Sequence, residues 1–201
     1  MMTITYPVKK GLYINMTNRC PCSCTFCLRQ TRDHVTGSDT LWLEREPSVQ
    51  EIIDDFKNFN LDNYKEIVFC GFGEPTERID AIIEVATYLK ANFNKPLRIN
   101  TNGLGNLVNN KDITPMLKGL IDTISISLNT PNKERYYELT RSRFGIESFD
   151  AMLDFAKKAA QYVPNVILST VETTISKEEE KECQKICDEL GVTYRIRPYE
   201  D

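Results

Sequence analysis

The sequence has no apolar run long enough to span a bilayer, and residues 1–7 lack the apolar segment of a secretion signal. We therefore expect a cytoplasmic protein with no membrane partner, in a reducing compartment where cysteines favour metal or catalytic roles over disulfides. The formal net charge of −4 gives no sign of an extended basic surface. This disfavours duplex nucleic acid as an obligate partner, although a small nucleotide held in a local pocket remains open.

The sequence also lacks internal repeats, low-complexity tracts and any segment with the composition of a linker. Its hydrophobic residues make up 41% and its charged residues 27% of the chain, which is ordinary for a globular protein. A chain of 201 residues is large enough for one substantial core. We predict a single domain over residues 1–201.

Short apolar runs alternate with longer amphipathic ones, a pattern that predicts repeated β-α units around a parallel sheet. Two capping boxes, which begin at Ser48 and Ser176, mark helix starts, and Gly191 marks a helix end. Six strands are predicted, at 12–16, 66–70, 97–100, 123–128, 166–171 and 192–196. Because a closed barrel of eight units needs about 250 residues, the fold class is α/β, a partial, open (β/α)6 TIM-like barrel.

Four of the seven cysteines fall within residues 20–27, directly after the first predicted strand. Neighbours this close cannot reach disulfide geometry without strain, so their density points to a metal or a cluster. Cys20, Cys24 and Cys27 are spaced C-x3-C-x2-C. A structural zinc site is the alternative, but zinc usually takes four Cys or His ligands, and no second Cys-x2-Cys pair or histidine cluster follows.

Small and polar residues recur where the predicted strands end. A glycine-rich turn, 71–75, follows the second strand, Asn102 lies in the turn after the third, and Ser127 and Asn129 are at the end of the fourth. Parallel β/α folds place their active sites at this edge of the sheet. The shared location therefore predicts a ligand rim.

Over essentially its whole length the chain resembles the radical S-adenosylmethionine (SAM) enzymes. The resemblance rests on the three spaced cysteines after a first strand and on Gly71-Phe72-Gly73-Glu74-Pro75, which is similar to the Gly-Gly-Glu-Pro segment of that family. It implies a [4Fe–4S] cluster on Cys20, Cys24 and Cys27, with one iron left open for SAM. It further implies reductive cleavage of SAM to a 5′-deoxyadenosyl radical that takes hydrogen from a substrate.

The same resemblance implies the residues that hold SAM. The backbone of the glycine-rich turn would accept from the amino group of SAM, and the strand-end polar residues would contact its ribose and methionyl group, with an apolar residue beside the adenine. The implied SAM-binding residues are Gly71, Phe72, Gly73, Glu74, Asn102, Ser127, Asn129 and Val171. Because Ser127 and Asn129 alternate, both are expected to face inward from the fourth strand.

The amino-acid sequence around these motifs, in residues 12–20 and 69–76, resembles that of the small radical SAM proteins associated with TatD-family hydrolases. That subfamily implies an oxygen-sensitive enzyme with an unsettled substrate, a TatD-family hydrolase as a partner and a one-electron donor such as a flavodoxin. Two alternatives stay open. An activase would place a stable radical on a partner enzyme, and a non-catalytic iron–sulfur or metal-binding module would assemble a cluster without cleaving SAM.

The remaining chemically active residues have less specific interpretations. Cys22 is expected to be a bystander of the triad, with a fourth thiol near the cluster as the alternative. Cys70, Cys183 and Cys187 are expected to be buried packing residues. The alternatives are an active-site contact for Cys70 and a metal-binding pair for Cys183 and Cys187, which are four residues apart. His34 is expected in a solvated loop, with a proton or substrate contact as the alternative. Arg197, at the end of the last strand with Arg195 two residues earlier, is either a surface residue or the partner of a substrate carboxylate or phosphate.

Overall fold

The structure, a computed structural model, describes residues 2–35 and 38–198. Seven strands form one sheet whose spatial order follows the order of the chain. The strands are β1 (Thr5–Val8), β2 (Gly11–Ile14), β3 (Glu66–Phe69), β4 (Leu97–Thr101), β5 (Thr123–Ser127), β6 (Asn165–Val171) and β7 (Thr193–Arg197). From β2 to β7 every neighbouring pair is parallel. The predicted six-stranded, open parallel architecture is confirmed.

The first strand, β1, was not predicted. It pairs antiparallel with β2, in a register that places Thr5 opposite Ile14 and Val8 opposite Gly11. Its four residues include Pro7, which has no N–H to donate and which weakens any strand pattern. An edge position accepts a proline because one side of the strand needs no ladder bonds, so β1 covers the free edge of β2.

Helices follow the strands as the alternating pattern predicted. They are α1 (Val49–Asp55), α2 (Ile79–Asn92), α3 (Gly105–Val108), α4 (Lys133–Thr140), α5 (Ser148–Ala159) and α6 (Lys177–Leu190). Both capping boxes are present, at Ser48 with Glu51 and at Ser176 with Glu179. Gly191 ends α6 in the left-handed conformation. Within the described residues, no helix is long and apolar enough to cross a membrane.

The main core lies between the helices and one face of the sheet. Alternate strand residues such as Leu12, Ile67 and Ile99 are fully buried there against helix residues such as Ile82 and Phe155. The intervening residues point to the opposite side, because side chains alternate along a strand. We call that side the open face, and its side chains include Tyr13, Val68, Cys70, Arg98, Asn100, Ser125, Ser127, Ser169, Arg195 and Arg197.

Candidate functional site

The cysteine loop, residues 20–27, follows β2 and is held against the end of α4. The Ser23 amide donates to the Thr140 carbonyl at 2.9 Å, and the Thr25 amide donates to the Leu139 carbonyl at 2.9 Å. The Arg143 amide in turn donates to the Pro21 carbonyl. These main-chain contacts fix the loop at the carboxyl edge of the sheet.

The four cysteines of this loop have different environments. Cys20, Cys24 and Cys27 are half-buried, whereas Cys22 is 2% exposed and belongs to the core. The Cys22 thiol donates hydrogen bonds to Cys20 and Cys24, which lowers the pKa of both, while burial raises the pKa of Cys27. The three partly accessible thiols are thus the three of the spaced motif, and two of them are predisposed to the thiolate form that binds iron.

Among the described residues, no three Cys, His, Asp or Glu side chains converge on a point where a single metal ion would bind. A four-iron cluster does not require such a point, because each thiolate binds a different iron. The half-buried positions of Cys20, Cys24 and Cys27 on one short loop therefore fit a cluster better than a mononuclear ion. The donor set fits the group that the sequence implies.

The turn after β3 lies directly on the chain segment that leads from β2 to Cys20. A Cβ atom on Gly71 would come within 2.1 Å of Asn15 Oδ1, and one on Gly73 within 2.2 Å of the Thr17 carbonyl oxygen. The Glu74 amide donates to the Arg19 carbonyl at 2.8 Å. Both glycines are thus required by close approach inside the protein, whether or not their carbonyls also reach a ligand.

The side chain of Phe72, between these glycines, packs away from the turn. It is buried with Tyr6 and Leu41 in a small cluster on the β1–β2 side, and its ring meets Trp42 edge-on with centroids 5.3 Å apart. Any contribution of Phe72 to cofactor binding therefore comes from its backbone.

Glu74 is a buried carboxylate that connects two strand ends. Oε1 accepts from the Thr76 amide at 3.1 Å, the Thr76 hydroxyl at 2.7 Å and the Thr101 hydroxyl at 2.7 Å. Oε2 accepts from the Asn102 amide at 2.8 Å. Burial is the largest influence on its pKa and raises it, although these hydrogen bonds act in the opposite direction. Both oxygens are occupied by the protein, so Glu74 holds the ends of β3 and β4 together.

Asn102 brings the end of β4 to the cysteine loop. Its Nδ2 lies 3.8 Å from both Cys20 Sγ and Cys22 Sγ, while its Oδ1 accepts from the Leu104 amide at 2.9 Å. The backbone of Asn102 is held by Glu74, whose own amide is bonded to Arg19 beside Cys20. Three predicted site elements, from three different parts of the chain, therefore meet in one place.

The other predicted SAM residues lie farther along the same sheet edge. Ser127 is the last residue of β5, and Val171, half-buried, is the last residue of β6. Asn129 lies beyond the strand in the left-handed conformation (φ 66°), and its amide donates to the Ser169 carbonyl. The alternation argument used for Ser127 therefore does not extend to Asn129, because the backbone turns before that residue.

Sequence reasoning missed a polar network on the open face. Arg98 donates from Nε and Nη2 to the two carboxylate oxygens of Glu66, at 3.0 and 2.7 Å, and from Nη2 to the Tyr13 hydroxyl. Farther along the same face, toward the β7 edge of the sheet, Arg195 Nη2 donates to Ser125 Oγ at 3.0 Å. A signal was available, since Arg98 and Asn100 alternate with buried apolar residues along the predicted third strand.

The remaining candidate residues lie away from the contact between the cysteine loop and Asn102. His34 is exposed and bonds to Asp33 at 2.6 Å, as expected for a solvated loop residue. Cys183 and Cys187 are fully buried, with burial raising each pKa to about 12. Cys70 lies on the open face and is half-buried rather than packed in the main core, and its thiol is hydrogen-bonded to Asn100.

Comparison with proteins of known structure gives matches over almost the whole chain. Streptococcus suis SuiB bound to S-adenosylmethionine superposes with a TM-score of 0.68 at 20% identity, covering 96% of this chain and 41% of that one. The FeFe-hydrogenase maturase HydG from Carboxydothermus hydrogenoformans superposes with a TM-score of 0.65 at 16% identity, covering 95% and 44%. At these identities the similarity concerns the fold alone.

A curated relative, molybdenum cofactor biosynthesis protein 1 of Drosophila melanogaster, is 30% identical over 156 residues. That match covers 77% of this chain and 26% of the relative, so the chain spans about a quarter of the relative's length. The family model described as the radical SAM superfamily matches residues 14–193, a range that contains the cysteine loop and every strand from β3 to β6. The chain belongs to the radical SAM superfamily, whose members are enzymes that use a [4Fe–4S] cluster and SAM.

Proposed function

We propose that this chain holds a [4Fe–4S] cluster through Cys20, Cys24 and Cys27 and cleaves SAM reductively. The observation that carries the proposal is the position of Asn102, whose side-chain Nδ2 lies 3.8 Å from Cys20 Sγ. This contact joins a predicted SAM-binding strand end to the predicted cluster loop. A structural metal knot would need no such convergence of strand ends.

Three protein ligands leave one iron of a four-iron cluster without a side chain, which is where a cofactor can coordinate. When bound, the cluster and SAM supply a one-electron cleavage that yields methionine and a 5′-deoxyadenosyl radical able to remove a hydrogen atom from a substrate. The chain's own part is to bind and orient. The carbonyls of Gly71–Glu74 would accept from the ammonium of SAM, Asn102, Ser127 and Asn129 would hold its ribose and methionyl group, and Val171 would lie beside its adenine.

The test is anaerobic reconstitution with iron and sulfide, followed by reduction in the presence of SAM. We expect 5′-deoxyadenosine and methionine in equal amounts. Cys20→Ala should lose iron and products together, whereas the matched control Cys183→Ala, which changes a buried cysteine of α6, should retain both. A fully reduced cluster that leaves SAM intact would instead favour the non-catalytic module.

We further propose that the enzyme belongs to the TatD-associated subfamily, receives its electron from a flavodoxin-like donor and acts together with a TatD-family hydrolase. The support is the resemblance of the sequence at residues 12–20 and 69–76 to that subfamily. Reduced flavodoxin should replace the chemical reductant in the assay above. Calorimetric titration of a purified TatD-family hydrolase into the loaded protein tests the partner, and an absence of binding heat at micromolar concentrations would count against it.

A further inference from the structure

The buried face of α4 carries a tyrosine whose hydroxyl is unsatisfied. Tyr136 is fully buried, and its hydroxyl oxygen forms no hydrogen bond with any residue that the structure describes. Its ring is held in place by Phe149, which it meets edge-on with the centroids 5.4 Å apart. A buried phenol usually has an acceptor, because an unpaired buried donor costs the desolvation of the group without return.

Tyr136 lies where α4 meets the cysteine loop. Tyr136 and Thr140 are the buried residues of this helix, and the Thr140 hydroxyl donates to the Tyr136 carbonyl at 2.8 Å. The Thr140 carbonyl in turn accepts from the amide of Ser23, the residue between Cys22 and Cys24. Because residues four apart share a helix face, the tyrosine is one turn from the point at which the loop is attached.

The packing of Tyr136 agrees with this position. The side chain belongs to the same core as Cys22, and the half-buried Cys20 and Cys24 pack against that core. Burial is the largest influence that raises the pKa of Tyr136, and the next are Cys22 and Cys24, followed by Glu74 and Cys20. The ionisable groups around the phenol are thus those of the cysteine loop and the buried carboxylate beside it.

The oxygen acceptors in this region are already in use. Both oxygens of Glu74 accept hydrogen bonds from residues just beyond β3 and at the end of β4. The Thr140 carbonyl accepts from the cysteine loop. A neutral thiol is a weak acceptor, whereas sulfur that carries negative charge, as in an iron-bound thiolate or a sulfide, is a stronger one. A charged sulfur is therefore the acceptor that suits the Tyr136 hydroxyl.

We propose that the Tyr136 hydroxyl donates a hydrogen bond to a sulfur atom of the loaded [4Fe–4S] cluster and so raises the reduction potential of the cluster. The inference rests on the proposed function, because it requires the cluster on Cys20, Cys24 and Cys27. Hydrogen bonds to the sulfurs are one of the means by which a protein sets this potential. The reduced cluster carries one more negative charge than the oxidised one, so the same hydrogen bond stabilises the reduced form more.

The test compares Tyr136→Phe with Tyr137→Phe in cluster-loaded protein under anaerobic conditions, without SAM. Phenylalanine keeps the ring at position 136 and removes only the hydroxyl. Tyr137, the next residue of α4, is 41% exposed, so the same substitution there is the matched control. In a redox titration followed by EPR, reduction should become about tenfold less favourable in Tyr136→Phe, a fall of about 59 mV for one electron. The potential of Tyr137→Phe should equal that of wild type.

Thermal unfolding with and without the cluster gives a second readout. Without the cluster, Tyr136→Phe should be at least as stable as wild type, because the substitution removes an unpaired buried donor. With the cluster, the melting temperature should rise more in wild type than in this variant, since only wild type gains the hydrogen bond. A cluster-free Tyr136→Phe that is less stable than wild type would show that the hydroxyl has a partner within the protein, which would overturn the inference.

The outcomes separate this inference from the proposed function. An unchanged potential in Tyr136→Phe, with SAM still cleaved, overturns the inference and leaves the proposed function standing. A lower potential in Tyr136→Phe, in a protein that assembles the cluster but never cleaves SAM, supports the inference while the proposed cleavage fails. An equal fall in Tyr137→Phe would overturn the inference, because the potential would then respond to α4 as a whole and not to the buried hydroxyl.

Discussion

Cys22 differs from the three cysteines around it in its burial and in the direction of its hydrogen bonds. Its thiol is buried in the core and donates to Cys20 and Cys24, so it orients two of the proposed cluster ligands instead of presenting a free sulfur of its own. The hydrogen bonds that it donates to Cys20 and Cys24, and then burial, raise its pKa, which keeps it protonated. A protonated thiol is a poor iron ligand.

We predict that Cys22→Ala retains the cluster and SAM cleavage, whereas Cys20→Ala loses both. Alanine keeps the small apolar volume and removes only a weak donor, so the loss of stability should be about 1 kcal/mol. Iron content and 5′-deoxyadenosine yield check this prediction. Equal losses in the two variants would make Cys22 a ligand.

Glu74 is predicted to make stability fall as the pH rises. Because its folded-state pKa lies above the ordinary value of 4.5, its contribution is fully present below that value and is lost as the pH rises through the folded pKa. Glu74→Gln cannot titrate, so wild type should lose stability relative to this variant as the pH rises above about 4.5. Urea unfolding of the cluster-free protein at a series of pH values measures the difference.

The contrasting case is Glu51, whose pKa is lowered to about 2, chiefly by hydrogen bonds from Arg45. Its contribution is present above the ordinary value and is lost as the pH falls through the folded pKa. The stability of wild type relative to Glu51→Gln should therefore change with pH in the opposite sense to that of the Glu74 pair. It should fall as the pH falls, and only at acidic pH. If Glu74→Gln and wild type keep a constant difference across the range, the carboxyl of Glu74 is not the titrating group.

At the scale of elements, the turn after β3 and the segment after β2 behave as one unit. Gly71 lies against Asn15, Gly73 against Thr17, and the Glu74 amide against Arg19. Asn15 is itself anchored, since its Nδ2 donates to the Leu41 carbonyl at 2.7 Å. The cysteine loop begins where this contact ends. A displacement of the turn after β3 would therefore also displace Cys20.

Gly73→Ala should therefore destabilise the protein by about 3 kcal/mol and reduce its iron content, because the new Cβ meets backbone and not a movable side chain. Gly145→Ala is the matched control. Gly145 is left-handed with open space around it, so alanine there costs about 1 kcal/mol of backbone strain and displaces nothing. Denaturant melts and iron analysis separate the two effects, and a Gly73→Ala variant with full iron would contradict the coupling.

Much of this element structure could be predicted from local signals. The six parallel strands, both capping boxes and the end of α6 at Gly191 follow from apolar period and capping residues. β1 could not be predicted, because a four-residue strand with Pro7 has too little pattern. The roles of Glu74 and Arg195 were also beyond sequence, since their partners Thr101 and Ser125 are set by strand register.

At the scale of the whole molecule, the cysteine loop connects the two halves of the chain. Thr25 and Leu139, whose main chains are bonded, are 114 residues apart in sequence. Anything that orders the loop therefore also orders the end of α4. We expect cluster loading to raise the melting temperature of the entire fold, since a ligand that binds only the native state stabilises it by mass action.

Hydrogen exchange gives the sharper form of this prediction. On loading, amides of residues 20–27 and 139–143 should gain protection together, while those of α6, remote in its contacts, should change little. Zinc added to the cluster-free protein serves as a control for nonspecific thiol binding. Protection confined to residues 20–27 would show that the contact with α4 is not coupled to the loop.

The strand order also bears on how the protein is made. Since spatial neighbours in the sheet are consecutive in the chain, each strand from β2 to β5 can pair with its predecessor as it leaves the ribosome. The cysteine loop is different, because its main-chain partners at Leu139, Thr140 and Arg143 are synthesised more than a hundred residues later. During that interval the nascent chain holds four thiols without their final support, which is the period in which they need protection from oxidation.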